Sequence, residues 1–134
     1  MINVVSPNDF VELQQLLSRY CHIVDAKAWD QLDQIFAEDA SVTVAGVYPT
    51  STGIEDLRAL YARMNHPVAH TSSTLIVVES SHDDARLASK WVTVRADGLT
   101  GTGVYEDVVV RTPDGWRIRE RVAKPAVAPR PVQA

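Results

Sequence analysis

Apolar residues near the start of the chain recur at Phe10, Leu13, Leu17, Tyr20 and Val24. Spacings of three and four put such residues in one buried stripe along a helix. Just upstream, Ser6-Pro7-Asn8-Asp9 offers a capping serine, a proline suited to the first helical position and an S-x-x-D box, so the helix is predicted to begin there. A shorter helical pattern follows at Trp29, Leu32 and Ile35-Phe36, then a strand over 41–44 that Gly46 and Pro49 end. Thr52-Gly53-Ile54-Glu55 predicts a second capping box, opening a third helix through Ile54, Leu57, Leu60-Tyr61 and Met64 that Pro67 stops.

Beyond His70 the pattern changes to strands. Residues 70–79 are rich in Thr, Val and Ile, and Ser81-His82-Asp83-Asp84 separates them from a second run over 87–95. Asp97-Gly98 begins the next break, 102–111 form a third run, and Thr112-Pro113-Asp114-Gly115 turns into a last strand over 116–122. Short turns between long consecutive strands predict an antiparallel meander. In the last strand Trp116, Ile118 and Val122 are expected on one face and Arg117, Arg119 and Arg121 on the other. Helices followed by a curved antiparallel sheet give an α+β fold, with the N-terminal helices packed in the sheet as a cone-shaped α+β barrel whose apolar interior forms a pocket.

Length and charge narrow the picture. At 134 residues the chain makes one domain, read as 1–124, with a Pro-rich tail over 125–134. The net charge of −4, without any basic run, argues against nucleic acid or a membrane surface as partner. No stretch approaches the ~20 apolar residues that span a bilayer, and Met1-Ile2-Asn3-Val4-Val5 is too short for a secretory signal, so the protein is expected in the cytoplasm. Cys21 is the single cysteine and has neither a disulfide partner nor a zinc-binding set around it. Both faces of the middle strands are partly apolar, which predicts a homo-oligomer.

Two residues carry the candidate chemistry. Asp25 stands at the end of the first helix, where the dipole disfavours a carboxylate, so either something compensates it or it caps the next helix. His70 opens the first long strand, on one face with Ser72, Thr74 and Ile76 by the period-two rule; its plainer role is a half-buried histidine bonded to backbone. Tyr20, Tyr48, Trp91, Arg95 and Tyr105 are candidate cavity-lining residues, although Tyr20 also fits a core position and Arg95 a strand end reaching into water. His66 and His70 share the i, i+4 spacing of a helical metal pair, but Pro67 prevents the helix, so no metal is expected.

The pattern Tyr20-x4-Asp25-x3-Trp29-Asp30-x-Leu32-x3-Phe36-x2-Asp39-Ala40, with Gly103-Val104-Tyr105 and Asp114-Gly115-Trp116-Arg117-Ile118, resembles SnoaL-like proteins of the nuclear transport factor 2-like superfamily over about residues 8–123. Within it, the branch of scytalone dehydratase, bile acid 7α-dehydratase and hexachlorocyclohexane dehydrochlorinase is similar in placing an Asp late in helix one and a His at the strand after helix three. The resemblance implies Asp25 and His70 as a general acid–base dyad, and Tyr20 as the matching tyrosine. Arg95 stands where scytalone dehydratase has a second histidine. The implied activity is a cofactor-independent lyase or isomerase acting on a small hydrophobic hydroxy-carbonyl, polyketide-like or steroid-like compound, with Tyr20 and Arg95 contacting substrate oxygen, in a trimer rather than a dimer. A binding or assembly module, and a cyclase or epoxide hydrolase, are the alternatives that the same fold carries.

Overall fold

The structure is a computed structural model and describes residues 5–126. Helix α1 (Pro7–Asp25) is followed by a short 3-10 helix (Trp29–Gln34), strands β1 (Phe36–Val44) and β2 (Tyr48–Thr52), helix α2 (Ile54–Arg63), and strands β3 (Ala69–Ser80), β4 (Asp84–Val94), β5 (Thr100–Thr112) and β6 (Gly115–Pro125). The six strands form one sheet in the order β2-β1-β6-β5-β4-β3. This is the expected α+β architecture, with a four-strand meander from β3 to β6.

The Ser6 hydroxyl accepts a hydrogen bond from the Asp9 N–H and Pro7 occupies the first turn, as the sequence predicts. The buried stripe is wider than the spacing indicated: Leu16, Cys21 and Ile23 join Leu13, Leu17, Tyr20 and Val24. A helix laid inside a curved sheet touches it on more than one side, and its apolar face broadens accordingly. Trp29, Leu32 and Ile35 fall three apart because that segment is a 3-10 helix, whose side chains eclipse at i, i+3.

Four expectations are corrected. Phe36 already belongs to β1, which begins five residues earlier than expected and pairs with β6 in parallel, so the sheet is not wholly antiparallel. Pro49 does not end the sheet: it sits in β2, an edge strand where a missing N–H is tolerated. The capping box at 52–55 does not form, because Thr52 pairs with Ser41 in the sheet; Gly53 takes the cap position at φ 93°, a conformation that favours glycine. The Pro-rich tail expected from 125 begins later, since Pro125 ends β6 and the Ala126 N–H donates to the Thr102 carbonyl; 127–134 lie outside the described residues.

Two bulges redirect side chains toward the interior. In β3 the register slips between Ser73 and Ile76, where Thr74 adopts φ 57°, so Leu75 and Val77 turn inward while Ile76 is exposed. The expected alignment of His70, Ser72, Thr74 and Ile76 on one face therefore stops at Ser72. In β6 the extra residue is Arg119, which brings Arg121 and Ala123 inside and turns Val122 away.

One staple joins the helix to the sheet. The Arg111 guanidinium donates to both Asp9 carboxylate oxygens at 3.1 and 3.0 Å, the Trp116 indole N–H donates to the same carboxylate, and Arg111 lies over the Trp116 ring. These bonds, Arg111 first and then Trp116, hold the Asp9 carboxyl well below the usual carboxylate range. A carboxylate with a depressed folded pKa stabilises above its unfolded value, near 3.9, and loses that contribution as pH falls through the folded one. Asp9→Asn is expected to lower stability by about 1–2 kcal/mol at pH 7, a figure discounted because the pair is partly solvated, and by only a small part of that at about pH 1, where the folded carboxyl too takes up its proton. Urea unfolding at the two pH values reads the difference; an equal deficit at both would assign the loss to packing instead.

Candidate active site

The site begins where α1 ends. Asp25 is its last helical residue, and no side chain caps the 3-10 helix that follows, so the capping role is not the one Asp25 takes. Its carboxylate is instead met by His70 at the start of β3. The His70 backbone N–H donates to Oδ2 at 3.0 Å, and Nδ1 lies 2.5 Å from Oδ1. Two donors answer the unfavourable helix end. With a carboxylate as acceptor Nδ1 carries the proton, which leaves the lone pair on Nε2. His70 lines a cavity of about 150 Å³, and Asp25 stands behind it.

Tyr20, Tyr61, Trp91, Tyr105, Arg121 and His66 form the polar-tipped part of the cavity wall, and Val42, Val44 and Ala123 much of the rest. Tyr20 is the hub, edge-on to Phe36, Tyr61, His70 and Tyr105, with its hydroxyl 2.9 Å from that of Tyr61. Burial pushes the hydroxyls of Tyr20, Tyr61 and Tyr105 upward in pKa, so they remain protonated donors. Burial likewise raises the Cys21 thiol, which is therefore no thiolate nucleophile.

Arg121 is the cavity-lining residue that the alternation rule turned the wrong way. It is 1 % exposed, donates through Nε and Nη2 to Asp107 at 2.8 and 2.9 Å, and lies over the rings of Tyr105 (3.7 Å) and Tyr20 (4.3 Å). Burial works against its charge, but the charge and hydrogen bonds of Asp107, followed by Tyr105 and Tyr20, hold the guanidinium protonated. Its Nη1 is buried without a hydrogen-bond partner, as is Trp91 Nε1. Two donors in a cavity wall without acceptors call for a ligand that brings oxygen.

The other predicted residues divide. Tyr20, Trp91, Tyr105 and His70 share the cavity. Tyr48 does not line it; its hydroxyl accepts from the Asn65 N–H and pins the segment at the cavity mouth. Arg95 does not line this cavity: it stands in the exposed turn after β4, paired with Asp97 at 3.2 Å, and the guanidinium in the cavity wall is that of Arg121. His66, not expected to hold a metal, packs its ring on Tyr61 and Trp29 at the mouth, and its Nε2 donates to the Tyr61 carbonyl at 2.7 Å. Burial keeps it below the ordinary histidine pKa. Among the described residues no cluster of His, Cys, Asp and Glu side chains could hold a metal ion, and no helix is long and apolar enough to cross a membrane. A wider surface groove of about 580 Å³, lined by Asp33, Glu38, Asp39, Arg58, Arg117 and Arg119, lies away from the dyad and lacks an enclosing wall of apolar side chains.

The comparisons with known proteins agree with this architecture. An uncharacterized protein of Mycobacterium tuberculosis is 31% identical over 134 residues, spanning 91% of this chain and 88% of its own. An NTF2-like protein with a cystatin-like fold from Novosphingobium aromaticivorans superposes with a TM-score of 0.79 at 23% identity, over 92% of this chain and 85% of that one. A second protein of that organism, named for scytalone dehydratase, superposes with a TM-score of 0.73 at 20% identity, over 91% and 87%. At those identities the structures speak for the fold. The SnoaL-like domain model matches residues 7–122, nearly the whole of α1 through β6, and the chain belongs to the SnoaL-like family.

Proposed function

We propose that the protein is a cofactor-independent lyase of the dehydratase type, or an isomerase, acting on a small hydrophobic hydroxy-carbonyl compound. One observation carries this reading: the His70 ring is fixed by Asp25 through Nδ1 at 2.5 Å and presents Nε2 to a largely apolar cavity. An imidazole so oriented, with a carboxylate to stabilise its charged form, suits removal of a proton beside a carbonyl. In this reading Nε2 takes the proton, the carbon–hydrogen electrons form the carbon–carbon double bond of an enolate, and Arg121 Nη1 donates to the oxygen that becomes negative. Collapse of the enolate expels a β-hydroxyl, which leaves as water with the proton from His70. Isomerisation differs only in returning that proton to another carbon.

The relative named for scytalone dehydratase supports the lyase class. A volume of about 150 Å³ matches a cavity that holds benzene, so a polyketide-like or steroid-like compound enters by its reacting ring alone. The test is conversion of 3-hydroxycyclohexanone to cyclohex-2-enone, followed by absorbance, together with deuterium uptake from heavy water beside the carbonyl. Rates for the wild type no higher than those of His70→Ala would end the proposal.

The same reading has the chain working in the cytoplasm as a homo-oligomer, a trimer before a dimer. Ile76 and Val78 on β3 and Val92 and Val94 on β4 are large apolar side chains left at 40–62% exposure on the outer face of the sheet. Sedimentation equilibrium is expected to give a multiple of 14.8 kDa, and a monomer at tens of micromolar would remove this part.

A further inference from the structure

Trp91 is placed with unusual care for a side chain that only fills space. It stands directly opposite Gly103 in the β4–β5 ladder, and a Cβ on Gly103 would overlap the indole edge that carries Nε1 and the Lys124 carbonyl. Only the bare backbone of Gly103 lets the indole lie flat across β5. In that pose Nε1–H is buried, has no protein acceptor and belongs to a side chain in the cavity wall. A buried donor left unmade is costly, so the fit of the indole to Gly103 accounts for the ring and leaves the N–H unaccounted for. On the same inner face His70 is paired with Thr93, which makes it the diagonal neighbour of Trp91, a separation that a single ring spans.

We propose that Trp91 Nε1–H is the donor that fixes ligand orientation, and that the ligand is a single six-membered ring carrying an oxygen acceptor at its edge. This deepens the dehydratase or isomerase reading of the same site, on which it rests for the role of His70. Arg121 Nη1, on the far strand beyond Tyr105, remains for a second oxygen, as a hydroxy-carbonyl compound provides. The cavity volume of about 150 Å³ sets the one-ring limit.

Two probes of equal shape test the donor: p-cresol, with an oxygen, and p-xylene, with a methyl group in its place. By calorimetry the wild type is expected to prefer p-cresol by about tenfold, and Trp91→Phe to keep its p-xylene affinity while losing that preference. In the wild type, the Trp91 indole N–H resonance should move on addition of p-cresol and not of p-xylene, which requires no variant to fold. A preference that survives in Trp91→Phe with an unmoved indole resonance would overturn the proposal, and so would binding of 2-naphthol in preference to p-cresol. Binding is read without turnover, so the two probes report on the Trp91 donor independently of the chemistry assigned to His70. Loss of proton exchange with intact binding would sink the lyase reading alone.

Discussion

Asp107→Ala is expected to lower folding stability by about 3–5 kcal/mol, the effect of leaving a buried charge without its partner. Asp107 and Arg121 are both fully enclosed, and Arg121 is held by two charge-assisted bonds and two aromatic faces. With the carboxylate gone, the cation is left, among the described residues, against the rings of Tyr20 and Tyr105. For a domain whose whole stability is on the order of 5–15 kcal/mol, the loss is large enough to read as partial unfolding at 37 °C. The companion Asp107→Leu/Arg121→Met should regain most of the stability, since apolar replacement of a buried pair is often neutral or better. That double variant would also lose the Nη1 donor, so its urea midpoint should recover while turnover does not. Equal destabilisation of both variants would show that the pair is held for packing shape rather than charge.

The largest effect on chemistry is expected from Asp25→Asn. The Asn carbonyl can still accept the His70 backbone N–H, so the fold and the ring position are retained. Its amide N–H, however, would donate to Nδ1 and drive the proton to Nε2, the nitrogen that faces the cavity. A base that already carries its proton cannot take another. Turnover and deuterium exchange should fall by about 10²–10⁴-fold, with far-UV circular dichroism unchanged. Nitrogen NMR of the His70 ring should report the exchanged tautomer directly. His70→Ala should lose a comparable factor, and the double variant little more, because the two side chains act as one unit. A full-rate Asp25→Asn variant with the wild-type tautomer would remove Asp25 from the mechanism.

What the sequence made legible was whatever depends on local spacing. The helix stripe, the Ser6 cap and the four long strands follow from periodicity and turn residues, and the Asp25–His70 pair came through resemblance alone. Period two failed where the backbone breaks it. Counted back from the 112–115 turn without a bulge, Asp107 would stand opposite Glu120, two like charges face to face. The bulge at Arg119 relieves that conflict and moves Asp107 opposite Arg121. The charge conflict was therefore the signal available for Arg121, and it is a signal of pairing, not of position along the chain. For Thr74 no such signal exists, since its left-handed φ is set by the sheet around it. Arg95 falls outside the cavity for a related reason: β4 ends at Val94, one residue short of the run read from the sequence, and one residue decides between the inner face and the turn.

The parallel pairing of β1 with β6 has a consequence for how the molecule is made. The register joins Val42 to Arg121 and Val44 to Ala123, so the strand that walls the cavity on one side finds its neighbour only at the far end of the chain. A ribosome that has released everything up to Thr112 has delivered the helices and three strands of the meander, yet β1 has nothing but the short β2 to bind. Contacts of such long sequence separation slow folding, because the loop must close before any contact within it rewards closure. The nascent chain is thus expected to stay open until its last strand emerges, and a chain cut before Gly115 should neither protect its β1 amides from exchange nor enclose the space beside His70.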